Sequence, residues 1–385
     1  MKVTGAWLND PNAQAVLGML TAGGFHALAV GGCVRNALLG VPVTDVDIAT
    51  DALPETVIDL AQKAGLRAVP TGIAHGTVTV VSGGEGFEVT SFRHDEESFG
   101  RHARVSFGAD LKQDAARRDF TMNALYAQPD GTLVDPLGGI RDLQARRVRF
   151  VGEAEARIRE DYLRILRFFR FHAQYGDPEG GLDAEALSAC ALHSARLETL
   201  SRERVTAEMR KLLSARDPAP AVAAMAQCGV LGHILPGATA RGLGVLVHLE
   251  GGQAGGWLRR LAVLGGEGHA EHLRLTKAET RDFARIRDAL GTMDAPASLG
   301  YRLGEGLGAD VVLARAALFE TPPPDGWQAD LARGARARFP LTPRDLMPAL
   351  QGPALGEALR RAEAHWLAQG FAPDRAALMA FLGVA

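Results

Sequence analysis

The hydrophobic period of the chain changes once, near residues 140–150, and no other feature limits its fold as strongly. Before that point, short apolar runs alternate with amphipathic stretches. Ala27 to Val30, Val46 to Ala49, Thr77 to Val81 and Phe87 to Phe92 read as strands, and Pro54 to Ala64, opening on Pro-Glu, reads as a helix between two of them. From about Glu155 onward, long runs rich in Ala, Leu and Arg repeat at helical spacing. They break at Asp177-Pro-Glu-Gly-Gly, Asp217-Pro, Pro236-Gly, Gly251-Gly and Pro322-Pro-Pro. The expected class is α+β, a small mixed sheet with helices followed by an all-helical half.

At 385 residues the chain exceeds one compact core, and its 47% hydrophobic content can fill two to four packed units. No fixed-period repeat is present. The glycine-rich patch from Gly242 to Gly268 reads as loops between helices. Ser201-Arg-Glu-Arg-Val-Thr-Ala-Glu offers a serine N-cap, so a helix is expected to start there and run through Leu213.

No run approaches the roughly 18 apolar residues of a membrane span, and Met1 to Asp10 lacks the pattern of a signal peptide, so a cytoplasmic protein without a membrane partner is expected. Cys33, Cys190 and Cys228 lie far apart with no CxxC or CxH spacing and read as small buried side chains. The formal charge of −3 argues against coating nucleic acid by net charge. Arginine is nonetheless concentrated between Arg141 and Arg170, so any nucleic-acid contact should be local.

Three constellations carry chemistry. In the first, an apolar strand ends at Gly31-Gly32, where the missing Cβ lets the backbone approach a phosphate and the next helix aims its amides at the same place. Arg35 follows three residues after Gly32, and Asp45-Val-Asp47 lies on a second apolar run. Side chains of a strand alternate faces, so Asp45 and Asp47 are expected on one side. Two crowded carboxylates call for a cation, and hard oxygen ligands of this kind suit Mg2+ completed by a substrate's phosphates. An isolated Asp-x-Asp also occurs at solvated strand edges; the glycine turn, arginine and flanking apolar residues together match the nucleotidyltransferase superfamily that includes DNA polymerase beta. Glu88, within Phe87-Glu-Val-Thr-Ser-Phe-Arg, is a candidate third carboxylate, and equally an outward-facing strand residue.

The second constellation is Arg117-Arg-Asp-Phe-Thr-Met-Asn, where the guanidinium of Arg118 suits phosphate oxygens. The third is Glu160-Asp-Tyr-Leu-Arg-Ile-Leu-Arg-Phe-Phe-Arg-Phe. There Asp161, Arg164, Arg167 and Arg170 recur at steps of three on an expected helix, with Leu163, Leu166, Phe168, Phe169 and Phe171 as packing.

Over residues 27 to 213 the chain resembles the class II tRNA nucleotidyltransferases, the family of CCA-adding enzymes and bacterial poly(A) polymerases. The resemblance is carried, in the family's order, by Gly31-Gly-Cys-Val-Arg, Asp45-Val-Asp, Arg117-Arg-Asp-Phe-Thr-Met-Asn-Ala, Asp135-Pro-Leu-Gly-Gly-Ile-Arg-Asp-Leu, Glu160-Asp-Tyr-Leu-Arg-Ile-Leu-Arg and Ser201-Arg-Glu-Arg-Val. It implies a polymerase-beta-like catalytic head at 1–142, a helical neck reading the nucleotide base at 143–213, and a helical body and tail at 214–385 that grip the acceptor arm and 3′ end of tRNA. It implies CCA addition from CTP and ATP, with Asp45 and Asp47 as catalytic metal ligands and Asp161 and Arg164 as a protein template for the base. By the same resemblance Gly31, Gly32, Arg35, Arg118, Arg167 and Arg170 contact the nucleotide.

The chemistry agrees with this template. Cytosine and adenine each present an amine donor beside a ring-nitrogen acceptor, complementary to a carboxylate and a guanidinium, while uracil and guanine present the reverse order. The first motif departs from the family, which usually reads Val-Arg-Asp where this chain has Val34-Arg35-Asn36. Asparagine keeps the shape and loses a charge, and a modest effect is expected because that position is outside the metal pair. The segment His94 to Ser106, with Asp95, Glu96, Glu97, Arg101, His102 and Arg104, resembles the family's flexible loop that switches CTP for ATP, and its lack of apolar period fits a surface loop. Phe339-Pro-Leu-Thr-Pro-Arg-Asp-Leu and Gln351-Gly-Pro-Ala-Leu resemble a tail segment near RNA. His248, Glu250, His269 and His272 form no His-Asp dyad, so an appended phosphohydrolase is not expected.

Poly(A) addition and CC-only or A-only addition share these motifs. The last residues, Phe381-Leu-Gly-Val-Ala, carry no basic extension, which favours the tRNA enzyme. A non-catalytic RNA-binding protein on a decayed domain is disfavoured because both aspartates are present. The sequence calls for no obligate protein partner.

Overall fold

The computed structural model describes every residue of 1–385 except 100, 101, 109, 253, 254, 348 and 385, and for 94–99 and 102–105 the backbone alone. The chain divides into two compact units, Met1–Ala238 with Glu267–Leu273, and Thr239–Gly266 with Arg274–Ala385.

The first unit opens with α1 (Pro11–Ala22), capped by the Asp10 carboxylate, which accepts the N–H groups of Asn12 and Ala13. Then come β1 (Leu28–Val30), α2 (Gly32–Leu39), β2 (Asp47–Thr50), α3 (Pro54–Lys63), β3 (Arg67–Gly72), β4 (Thr77–Ser82) and β5 (Glu85–Ser91). A hairpin of β6 (Arg93–Phe99) and β7 (His102–Phe107), α4 (Leu111–Ala116), β8 (Tyr126–Ala127), β9 (Leu133–Val134) and α5 (Gly139–Gln144) complete this part. Seven strands form one mixed sheet in the order β3-β4-β5-β2-β1-β8-β9, in which β2 and β5 are parallel and all other pairs antiparallel.

Strand alternation sorts the central residues onto two faces. Ile48, Phe87 and Val89 join Val16, Leu17 and Leu20 of α1 and Val57 of α3 in one core. Ala49 turns the other way, into a second core with Leu28, Val30, Phe92, Ala124 and Tyr126. Asp47, beside Ile48, and Glu88, between Phe87 and Val89, therefore belong to the second face.

The helices that follow are α6 (Ala154–Glu160), α7 (Leu163–Tyr175), α8 (Ala184–Leu192), α9 (Arg202–Leu213), α10 (Ala219–Gln227) and α11 (Val230–Ile234). α7 packs on α6, α9 and α10 and buries Leu163, Ile165, Leu166, Phe168, Phe169 and Phe171. Phe120, just past α4, meets Phe150 and Phe171 with ring centres 4.9 Å from each, so aromatic contact fixes α7 against the sheet-bearing part.

The second unit is helical, running Leu243–Leu249, Trp257–Leu264, Lys277–Leu290, Pro296–Phe319, Trp327–Arg336, Pro343–Leu346, Gly352–Ala368 and Arg375–Leu382. Inside it Glu250 accepts from both Arg259 and the fully buried Arg260. Trp366, Leu341 and Leu378 form a local core with Tyr301, Phe339 and Phe371. No described helix is long and apolar enough to cross a membrane.

Several local expectations need correction. The patch Gly242–Gly268 holds two helices as well as turns, because Leu243 to Leu249 and Trp257 to Leu264 are glycine-poor inside. The segment after Phe92 is a paired hairpin, since cross-strand backbone bonds require no apolar alternation. Arg101 falls outside the described residues, as do the side chains of His94 to Arg104. Helix α9 starts after Ser201 as expected, but the serine side chain makes no cap bond. Cys33 and Cys190 are buried, whereas Cys228, at the end of α10, is half-buried; all three are free thiols.

Candidate active site

The turn between β1 and α2 is built on Gly31, whose φ of 70° favours glycine. Its N–H donates to Leu125 O at 3.0 Å, and its carbonyl accepts from Arg35 N–H at 2.9 Å, joining strand, turn and helix. A Cβ at Gly31 would lie 3.5 Å from Arg118 Nη1, and one at Gly32 would lie 3.8 Å from Arg35 Nη2. Two guanidiniums thus approach the glycine backbone.

Beside this turn, Val30 pairs with Asp47, the first residue of β2. The pairing Ile48↔Val89 sets Asp47 next to Glu88 across the parallel ladder. Asp47 is open to solvent on one side, yet partial burial raises its pKa, with the Glu88 and Asp45 charges adding to the rise and Arg118 opposing it. Asp45 precedes the ladder instead of lying in it, so strand alternation does not orient it, contrary to expectation. It accepts from Thr44 Oγ1 at 2.9 Å and borders a surface cleft of about 550 Å³ together with Trp7 and Glu85. Among the described residues, no three His, Cys, Asp or Glu side chains converge closely enough to hold a metal by themselves.

Arg118 is fixed from behind. Its Nε donates to Tyr126 Oη at 3.1 Å and its Nη2 to Asp114 Oδ2 at 3.1 Å, while the Tyr126 hydroxyl donates to that same oxygen at 2.7 Å. Burial works against its charge, but Tyr126 and Asp114 outweigh this and leave its pKa raised. Arg35 donates to Asn123 Oδ1 at 2.5 Å and Tyr175 Oη at 2.9 Å.

Asp161 is not on the arginine helix. It sits extended (φ −153°, ψ 107°) between α6 and α7, where its Oδ1 accepts the Leu163 N–H at 3.1 Å and helps start α7. Its Oδ2 lies 2.5 Å from Arg204 Nη2, on α9. Arg164 turns toward α6, donating to Glu160 Oε2 at 2.5 Å and Arg157 O at 3.0 Å, and also to Arg117 O at 3.3 Å. The expected template pair is thus held by two separate partners, Arg204 and Glu160.

Arg167 is paired with Asp119, and Arg170 Nε donates to Glu208 Oε2 at 2.6 Å. Asp119 also accepts from Asn123 Nδ2 at 2.8 Å and from the Phe120 N–H at 2.9 Å. Burial alone would raise the Asp119 pKa, but Arg167 and these donors hold it down at about 2. Arg35, Arg167 and Arg170 all lie over Phe171, with guanidinium carbons 5.1, 5.3 and 4.4 Å from its ring centre. That ring, expected only as packing, gathers three of the candidate arginines.

Residues 27–149 match the family described as Poly A polymerase head domain, and residues 181–241 match Probable RNA and SrmB- binding site of polymerase A. The solved CCA-adding enzyme of Bacillus stearothermophilus in complex with CTP is 30% identical, with a TM-score of 0.74 over 97% of each chain. The chain belongs to the CCA-adding enzyme and poly(A) polymerase family. Mitochondrial CCA tRNA nucleotidyltransferase 1 of Mus musculus is 43% identical over 211 residues, 54% of this chain and 49% of that protein. The CCA-adding enzyme of Geobacillus thermodenitrificans (strain NG80-2) is 40% identical over 252 residues, 65% of this chain and 57% of its own length. The chain spans about half the length of the curated relatives it matches.

Within this family fold, the residues that sequence reasoning missed are the partners: Asp114, Asp119, Asn123, Tyr126, Tyr175, Glu208 and Arg204. Asp119, Asn123 and Arg204 lie inside motifs already singled out, so their positions were visible and their pairings were not. Glu208 ends the stretch Ser201-Arg-Glu-Arg-Val-Thr-Ala-Glu, which was read only as a helix start, and Tyr175 falls at the end of α7 with no motif to mark it.

Proposed function

We propose that the chain adds C, C and A to the 3′ end of tRNA from CTP and ATP, without a nucleic-acid template and with release of pyrophosphate. The observation that carries this reading is the meeting of Asp47, Glu88 and Arg118 at the Gly31 turn, two neighbouring carboxylates beside a guanidinium. The reading assigns the transfer to 1–142, base recognition to 143–213 and tRNA binding to 214–385, in a cytoplasmic protein.

The donor set fits magnesium: all the ligands are oxygens, and the crowding that raises the Asp47 pKa is what a cation relieves. Asp45 and Asp47 would hold it, and when bound it would lower the pKa of the attacking 3′-hydroxyl and neutralise charge on the leaving pyrophosphate. Arg118 and Arg35 bind the triphosphate at the glycine turn, where the backbone amides of α2 add further donors. Asp161, with its carboxylate oriented by Arg204 and the Leu163 N–H, accepts from the exocyclic amine of cytosine or adenine. Arg164 donates to the ring nitrogen after giving up one of its present partners. Uracil and guanine would face acceptor with acceptor and donor with donor, which excludes them. Arg167 and Arg170, paired with Asp119 and Glu208, meet Arg35 over the Phe171 ring and complete the nucleotide-contacting side of the site.

The test supplies the purified protein with tRNAs ending before CCA, after C and after CC, each with one labelled NTP and magnesium. Addition of C, C, then A followed by arrest is expected. Open-ended A tails would replace this reading with poly(A) polymerase, and no incorporation at all would leave only an RNA-binding role.

A further inference from the structure

Each of the other arginines assigned to nucleotide contact already faces a carboxylate. Arg118 has Asp114, Arg164 has Glu160, Arg167 has Asp119 and Arg170 has Glu208, while Arg204 has Asp161. Arg35 is different. Its Nε and Nη2 donate to Asn36 Oδ1 at 3.1 and 2.8 Å, its Nη1 to Asn123 Oδ1 at 2.5 Å, and its Nη2 also to Tyr175 Oη at 2.9 Å. Its guanidinium carbon lies 4.1 Å from the centre of the Tyr175 ring. Among the described residues every acceptor is neutral, and Arg35 is 6% exposed. Burial lowers its pKa, and the Arg170 charge pushes the same way against Tyr175 and Asp119. A buried cation held only by neutral groups carries charge still open to an anion.

Asn36 makes this arrangement and adds a second contact. Its Nδ2 donates to Pro42 O at 2.9 Å, and its backbone carbonyl accepts the Val41 N–H at 2.9 Å. Pro42 stands three residues before Asp45, in the segment that joins α2 to β2. An aspartate at position 36 would keep the acceptor for Arg35, cancel its charge and lose the donor to Pro42.

We propose that Asn36 is a positioning residue that leaves Arg35 as the uncancelled cation of the pocket, reserved for the triphosphate of the incoming nucleotide, while its amide ties down the segment leading to Asp45. This rests on the nucleotide-binding part of the reading above. The triphosphate is favoured over an RNA phosphodiester because Arg35 Nη2 approaches Gly32 at the open start of α2, where several backbone N–H groups can share a multiply charged anion.

The test is calorimetric titration of the full chain and its variants with tripolyphosphate, with CTP, and separately with tRNA lacking CCA. Asn36→Asp is expected to weaken tripolyphosphate and CTP by one common factor, roughly tenfold, with tRNA affinity unchanged. Asn36→Ser, which drops both the Pro42 bond and the Oδ1 acceptor for Arg35 without adding charge, is expected to change tripolyphosphate affinity less than about threefold. Should Asn36→Asp not fold, Arg35→Gln, which removes the charge and keeps a donor toward Asn123, must weaken tripolyphosphate and CTP by at least the same factor with tRNA affinity unchanged. Tripolyphosphate bound as tightly by the aspartate variant as by the parent chain overturns the proposal, as does a loss confined to tRNA. A common loss for tripolyphosphate and CTP in a chain that extends no tRNA would support the proposal while removing the assigned reaction.

Discussion

Replacing Arg204 by methionine removes the guanidinium that holds Asp161 and keeps most of the side-chain stem that packs α9. The pair is nearly enclosed, with side-chain exposures of 18% and 19%, and the Nη2–Oδ2 distance is 2.5 Å. Once Arg204 is gone, Asp161 keeps, among the described residues, only the Leu163 N–H on Oδ1, and Oδ2 can turn. A charge-assisted bond at a site still partly open to water is worth about 2 kcal/mol. If that free energy holds the carboxylate toward the base, its loss lowers discrimination by about 30-fold, since each 1.4 kcal/mol is a factor of ten. The assay is kcat/KM for CTP and for UTP on tRNA lacking CCA. Arg204→Met should lower the CTP-to-UTP ratio by about that factor, and Arg204→Lys should restore part of it. A folded Arg204→Met chain with its ratio intact within threefold refutes the argument. A fall in both rates by one factor would assign Arg204 to packing alone.

Three further outcomes follow from the same geometry. Burial and the Glu88 charge raise the Asp47 pKa, so without metal the folded chain holds its Asp47 proton to higher pH than the unfolded chain. Stability should therefore fall as pH rises from the ordinary carboxylate value through the raised one, and Glu88→Gln should flatten this fall in thermal melts of EDTA-treated protein; at neutral pH, magnesium should raise the melting temperature of the parent chain and not of Asp45→Asn. Asp119, held at about 2, stabilises the fold above its unfolded value near 3.8, and the effect disappears as pH falls toward 2. Asp119→Asn removes the main partner of Arg167 and should cost about 3 kcal/mol in urea unfolding, and a loss under 1 kcal/mol would contradict the pairing. In Gly31→Ala the new Cβ meets only ordinary contacts, 3.5 Å from Arg118 Nη1 and 3.6 Å from Asn123 O, but φ near 70° is unfavourable for alanine, so strain of about 1–2 kcal/mol, expressed as lower stability and a raised KM for both nucleotides, is expected. An unchanged KM would separate the turn from nucleotide binding.

The fold class followed from period alone, because packing forces a strand bearing Ile48 and Val89 and a helix bearing Leu163, Leu166 and Phe169 to repeat their apolar residues differently. The limits of that signal are equally physical. β6 and β7 pair through backbone bonds that leave no mark on the side-chain pattern, and β8 and β9 are two residues long each. Asp161 fits the step of three with Arg164 and Arg167, yet its own side chain bonds the Leu163 N–H, and it lies outside α7, extended at the end of α6.

The same competition explains why charges were easier to read than their pairings. A sequence shows that Arg118, Arg167 and Arg170 are present, but burial of a guanidinium requires acceptors, and these come from wherever the chain happens to pack: Asp114 four residues back, Asp119 forty-eight back, Glu208 thirty-eight ahead. Because these carboxylates already neutralise their arginines, counting arginines overstates the free positive charge of the pocket. By the charges on its own partners the anion-binding charge is concentrated on Arg35, whose neighbours Asn36, Asn123 and Tyr175 are all neutral. The asparagine that departs from the family pattern is thus the residue that separates Arg35 from the other arginines, and its effect on nucleotide affinity should exceed what its distance from the metal pair suggests.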